Sequence, residues 1–469
     1  MSGLFYAGIA LTIALIVAAG VLSGRKVKSG DDFSRGRSGF AGMTGTILGV
    51  LIGGSCTIGT SQLAFTYGFS ALWFTVGTGL AVLIMSLFMS DRVRGRGVLT
   101  VAGLIGSEYG QRARTLNAIL STIGVMFNGI AQILSGTAII AIVFPDLPLG
   151  LQALFVAVIM LLYMIFGGMK SISAAGSVKA MLILPAMFIC GAIALNRSGG
   201  FGKLQELLPR EQYFNLLARG AGTDLSALLS TIMGGLTSQS YMQIVMSAGN
   251  DKIARQSLRA AAVPALPLGL AGVAVGLYMR SIAPAEVLAS PELTLAAAKT
   301  ALPGFIQAQF PPFFSGMILS TLFITAVGSG AALALGAGTI VKRDIVDRLT
   351  DRFREGRKAL AMSRLILVVM LGALALCIPY IGSYVMDMGI LSHGLRAAST
   401  LAPFLFALLL PGRIRSGYAA AAMLIGVGIV LVLKLINSPL DAALTGVVIS
   451  VLVMCIGLLR SRDRNVPAA

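Results

Sequence analysis

Polar positions along the chain gather into short clusters, and the stretches between them are apolar runs of roughly 20 residues. That is the length a helix needs to cross a hydrocarbon core of about 30 Å. About thirteen such runs are long enough by that criterion, at 4–22, 42–66, 70–90, 116–143, 149–167, 178–196, 225–247, 260–280, 313–341, 365–382, 385–411, 417–436 and 441–459. The pattern predicts an all-α polytopic membrane protein. Composition agrees, since 56% of the 469 residues are hydrophobic and 12% charged, far too much apolar surface for a soluble fold.

The formal charge of +18 is spread in clusters between the apolar runs rather than on one face or tail. This is the pattern of membrane topology and excludes a nucleic-acid partner. No charge precedes the first run in MSGLFY, whereas GRKVK follows it. The asymmetry predicts a retained anchor with its N-terminus outside. From that start, the alternate loops 23–41, 91–115, 168–177 with Lys179, 248–259, 342–364, 412–416 and the tail face the cytoplasm. They hold 28 of the 36 Lys and Arg, which supports thirteen crossings with the C-terminus inside, in a plasma membrane of bacterial type. Cys56, Cys190, Cys377 and Cys455 lie within apolar runs without CxxC spacing or a nearby His, so neither a disulfide framework nor a metal cluster is expected. The inner loops are short and no extramembrane domain is evident. Function is expected inside the membrane, with no obligatory protein partner, which weighs against a solute sensor that must pass on a signal.

Two apolar runs are interrupted. In GVLIGGSCTIGTSQLAFTYG, residues 49–68, the pair Gly53 and Gly54 precedes Ser55, Cys56, Thr57, Thr60, Ser61 and Gln62. In STIMGGLTSQSYMQ, residues 230–243, Gly234 and Gly235 precede Thr237, Ser238, Gln239, Ser240 and Gln243. In lipid an unpartnered backbone group costs several kcal/mol, so unwound chain is tolerated only where protein or water supplies partners. Each pair marks either a break beside a binding cavity or a close helix crossing. If each opens a five-span half, the odd span count inverts the second half, and matched breaks point to a midplane site.

The segment GGSCTIGTSQLAFTYGFSALWF resembles the first core helix of the sodium:solute symporter family, which has the LeuT-type inverted-repeat fold. The segments SEYGQRARTLNAILS, FGGMKSISAAGSVKAM, QSYMQIVMSAGNDKIARQSLRAA and TAVGSGAALALGAGTIVKRDIVDRL extend the resemblance in order along about three quarters of the chain. It implies a 5+5 core, with halves at 42–224 and 225–411, one N-terminal helix within 1–41 and two C-terminal helices within 412–469. The implied sodium site places Gly49 and Ile52 on the first core helix and Thr325, Gly328 and Ser329 on the eighth. Gly328 stands where many members carry a hydroxyl, and Gly176 where some carry the carboxylate of a second site. One sodium ion is therefore expected, and proton coupling is the alternative.

Ionisable residues within the runs add candidates. Lys434 lies near a helix end, where it can snorkel. Asp387, His393 and Arg396 share the run matching the tenth core helix, and a buried guanidinium calls for a partner or a function. Asn128 and Gln132 lie one helical turn apart and face the same way. The candidate solute contacts are Ser55, Cys56, Thr57, Asn128, Gln132, Thr237, Gln239 and Arg396. Together they predict a sodium-coupled importer of a small organic solute, with preference for a carboxylate if Arg396 faces the cavity. No enzymatic activity is expected.

Overall fold

Every apolar run lies on a helix or a broken helix, because only intrahelical hydrogen bonding satisfies the backbone of an isolated segment in lipid. The computed structural model describes residues 2–24, 39–165, 168–381, 385–436, 438 and 440–462, and no strand occurs among them. Arg25, Lys26, Val27 and Lys28 of the GRKVK cluster that set the expected orientation lie outside the described residues, as do Phe166 and Gly167 of the FGG motif.

The first helix, α1, is Gly3–Gly24, and α2 is Phe40–Leu51. After an irregular stretch and a π-helical turn at Ser55–Gly59, α3 is Thr60–Tyr67. Then follow α4 (Leu72–Ile84), α5 (Val101–Val143), α6 (Leu149–Ile165) and α7 (Gly168–Arg197). The second half contains α8 (Ala221–Leu236), α9 (Gln239–Ser247), α10 (Asp251–Ala262), α11 (Ala265–Ser281) and α12 (Pro291–Gln309). It continues through α13 (Pro312–Ile340), α14 (Gly356–Cys377), α15 (Val385–Arg396), a π turn at Ala397–Leu401 and α16 (Ala402–Leu409). Helices α17 (Ser416–Leu435) and α18 (Ala442–Arg462) close the chain and pack on each other.

Among the described residues, eight helical stretches are long and apolar enough to cross a membrane, and Gly3–Leu15, Phe40–Leu51 and Leu149–Met164 are shorter apolar helices. This is a multi-pass membrane protein. Parts of the expected cytoplasmic loops are helical: α10 occupies most of 248–259, and α5 begins at Val101 and breaks at Gly110 (φ +85°) before its membrane portion. The expected loop at 168–177 is likewise the first part of α7.

Helix α13 is nearly enclosed by other helices, with α1, α5, α6 and α7 packed around it. At the periphery, Leu151, Leu154, Phe155, Val158 and Leu162 of α6 are exposed at helical spacing, an apolar stripe suited to lipid. Two ion pairs brace the fold, the first between segments distant in sequence and the second between residues five apart. Arg114 meets the fully buried Asp344 at 2.5 Å, and Arg219 meets the fully buried Asp224 at 2.8 Å.

Candidate functional site

Helix α2 stops at Leu51 because the backbone leaves the helical region at Ile52 (φ −83°, ψ 88°). The break frees the Gly54 N–H, which donates to Gln132 Oε1 on α5 at 2.8 Å. The Gln132 amide in turn donates to Asn128 Oδ1 at 3.0 Å and reaches Ser55 Oγ at 3.3 Å. One side chain from another helix therefore supplies the partner that unwound backbone requires in lipid.

The second break behaves differently. Gly234 and Gly235 remain within α8, and the chain departs from the helix only at Thr237 and Ser238. A Cβ on Gly234 would lie 2.5 Å from His393 Cα, and one on Gly235 would lie 2.5 Å from Ala81 Cβ. Of its two readings, this pair takes the second: it serves close packing of α8 against α15 and α4, and the break follows it at Thr237 and Ser238.

Beside the first break lies a cavity of about 40 Å³, room for a few waters. Its wall includes Ser55 and Cys56 from the π turn, Asn128 and Gln132 from α5, and Arg396 from α15. Phe74, Thr78, Ser238, Tyr241 and His393 complete the polar and aromatic lining. The sequence pattern alone does not single out Phe74, Thr78 or Tyr241, which occupy ordinary apolar helix positions.

Three expected solute contacts lie elsewhere. The Thr57 hydroxyl donates to Gly53 O at 3.1 Å. That of Thr237 donates to Gly234 O at 3.1 Å, sealing the end of α8. Gln239 accepts from Val101 N at 2.9 Å and donates to Leu99 O at 3.1 Å, so it pins the start of α5. All three spend their polar atoms on backbone, and none lines the cavity.

Arg396 is 2% exposed, and its Nε donates to Ser392 O at 3.3 Å. Its Nη1 is buried without a partner, and no carboxylate pairs with it among the described residues. His393 Nδ1 meets Gly389 O at 2.7 Å and the ring stands edge-on to Phe74, a structural placement. A guanidinium with an unused donor and a polar wall of Asn128, Gln132 and Ser55 can hold a planar anion.

Behind the break, Gly49 O, Ile52 O, Thr325 O and Ser329 Oγ come together, the atoms that the family resemblance assigned to a cation site. Ser329 Oγ lies 3.0 Å from Gly49 O and 3.2 Å from Ile52 O. Within this cage sits the ammonium of Lys179, which donates to Gly49 O, to Thr325 O at 3.1 Å and to Ser329 Oγ at 3.1 Å. The charge count placed Lys179 with a cytoplasmic loop, whereas it is fully buried on α7. Gly328 contributes no ligand atom from its side, and a Cβ there would meet Tyr163 Oη at 3.1 Å and Lys179 Nζ at 3.5 Å. The sign that could have revealed Lys179 is its place three residues after Gly176, on the same helical face.

Comparison with known proteins gives this arrangement its family. Residues 35–426 match the family model of the sodium:solute symporter family. The human high affinity choline transporter 1 is 23% identical over 70% of this chain and 58% of its own length. The uncharacterized symporter YwcA of Bacillus subtilis is 25% identical over 42% of this chain and 38% of its own length. The matched region thus spans less than two thirds of the length of these curated relatives. The outward-open, substrate-bound structure of a Na+-coupled sialic acid symporter superposes with a TM-score of 0.80 at 15% identity, covering 99% of this chain and 98% of that one. A nucleobase-cation-symport-1 family transporter in a closed conformation gives a TM-score of 0.59 at 11% identity, covering 93% of this chain and 96% of that one. The match to the family model covers most of the chain, and the chain belongs to the sodium:solute symporter family.

Proposed function

We propose that this protein is a secondary symporter that carries a small organic anion, such as a carboxylate, by alternating access, one helical bundle rocking against a scaffold around a midplane site in a core of two five-helix repeats, 42–224 and 225–411. Family membership supports sodium as the coupling ion. The observation that carries the anionic reading is the buried, unpartnered Nη1 of Arg396 in the cavity wall. An ionised guanidinium in a membrane interior costs about 2.5–3.5 kcal/mol on insertion scales, a cost that an anionic solute would offset by a charge-assisted hydrogen bond. The cavity holds only a few waters, so solute entry goes with opening of the bundle from the scaffold beside Ser55, Asn128 and Gln132.

The choline transporter relatives handle a cation by name, but a guanidinium facing the cavity opposes one. A thermal-shift screen of the purified protein against organic acids, amines including choline, and neutral solutes separates these classes, because a bound solute stabilises by mass action. Stabilisation by acids that is lost in Arg396→Gln is the expected result. Stabilisation by amines alone would overturn the anionic reading and leave the family assignment standing.

A further inference from the structure

The strongest unexplained feature is the charged group inside the cation cage. An ammonium has three N–H donors and no acceptor. Lys179 Nζ has three oxygen acceptors: Gly49 O, Thr325 O and Ser329 Oγ. The count matches one to one, and the Ser329 hydroxyl, while accepting from Nζ, points its own proton toward Gly49 O or Ile52 O. No carboxylate pairs with Lys179 among the described residues. Its charge is balanced by dipoles alone: the Gly49 carbonyl released at the C-terminal end of α2, where the helix dipole is negative, the Thr325 carbonyl within α13, and one hydroxyl. These are the oxygen types that bind a small monovalent cation at a broken transmembrane helix.

The surroundings are shaped for the lysine. A Cβ on Gly49 would lie 2.7 Å from Gly176 Cα, so glycine at both positions lets α7 lie directly on α2. Lys179, one turn beyond Gly176, is thereby delivered to the end of α2. Across the cage, Gly328 leaves open the space beside Nζ that a side chain would enter. Three positions on three helices agree with a lysine in this place.

We infer that Lys179 is a built-in cation: its ammonium takes the place of a free ion between α2 and α13, and sodium, where it acts on this chain, does not bind in this cage. Two monovalent cations cannot share these few oxygens, since they would repel across a few ångströms in a poorly screened interior. The tethered charge holds the broken end of α2 against α13 at any ionic composition.

The test needs no organic solute, so its outcome is separate from that of the Arg396 reading. The full chain is titrated with sodium chloride against N-methylglucamine chloride at constant ionic strength, following thermal stability and ²²Na+ binding. Wild type and Ser329→Ala are expected to respond to sodium alike. Lys179→Ala, which uncovers the oxygens, should gain a sodium-specific stabilisation half-saturating at least about tenfold lower than any response of the wild type, and Lys179→Ala/Ser329→Ala should lose it. Loss of a wild-type sodium response on Ser329→Ala would overturn the inference, as would a folded Lys179→Ala with no new response. The wild-type and Ser329→Ala pair decides the matter even if Lys179→Ala cannot be purified.

Discussion

Arg396 and Lys179 are both cations buried in the membrane interior with no carboxylate partner among the described residues, and the protein treats them in opposite ways. Lys179 has an oxygen for every donor and none to spare. Arg396 makes a long bond to Ser392 O and keeps Nη1 unpaired at a cavity wall. A satisfied buried charge is a fixture that ties helices together. One left short of partners stores a desolvation cost that a ligand can relieve. The difference separates a structural cation from a binding one more clearly than burial does.

The largest expected effect tests the unsatisfied side. Arg396→Gln should cost about 2–5 kcal/mol of anionic-solute binding, roughly 30-fold or more in Kd, with thermal stability in the absence of solute unchanged or raised. Isothermal titration and a melting curve on the same sample check both halves. A collapse of the melting temperature would show Arg396 to be a fixture as well.

Lys179→Met tests the satisfied side in the opposite sense. Removing the ammonium takes away a charged donor that Gly49 O, Thr325 O and Ser329 Oγ share, and stability should fall by about 1–3 kcal/mol. Solute affinity should change little once the fraction folded is accounted for, which denaturation monitored alongside solute binding resolves.

Gln132 joins the two regions, bonded to Gly54 N at the break and reaching Ser55 Oγ at the cavity. Gln132→Ala should therefore weaken both stability and solute binding, each by about 1 kcal/mol. An effect on one alone would show that the break and the cavity are energetically separate. The smallest effect belongs to Thr237→Ala, whose hydroxyl serves only the end of α8. Solute affinity should stay within about 0.5 kcal/mol of wild type by the same titration.

The two glycine pairs show where the sequence stops being readable. Gly53–Gly54 and Gly234–Gly235 have the same local chemistry and similar polar neighbours. The first adjoins a break because Gln132 on α5 receives the freed N–H, while the second stays helical because α15 and α4 press on it. Neither reason is within the segment itself. Ser55, Cys56, Asn128, Gln132 and Arg396 were recognisable as polar groups in apolar runs, and the structure brings these five to one wall. Thr57, Thr237 and Gln239 carried the same signal, but their polar atoms are taken by nearby or distant backbone.

What the chain determined by itself is the helical membrane architecture. Lipid admits only helices and closed barrels, and apolar runs of about 20 residues have the length of a spanning helix, so length and hydropathy are enough to read the runs as helical. The family was legible too, through ordered motifs from GGSCTIG to VKRDIVDRL. The occupant of the cation cage was decided only in three dimensions. Lys179 is separated from Gly49 by 130 positions and from Ser329 by 150, and counted along the chain it was one more basic residue beside a loop. Only the crossing of α7 on α2, at Gly176 and Gly49, places its ammonium among oxygens from two other helices. Hydrogen-bond partnership depends on distances of about 3 Å, which sequence spacing specifies within a helix but not between helices.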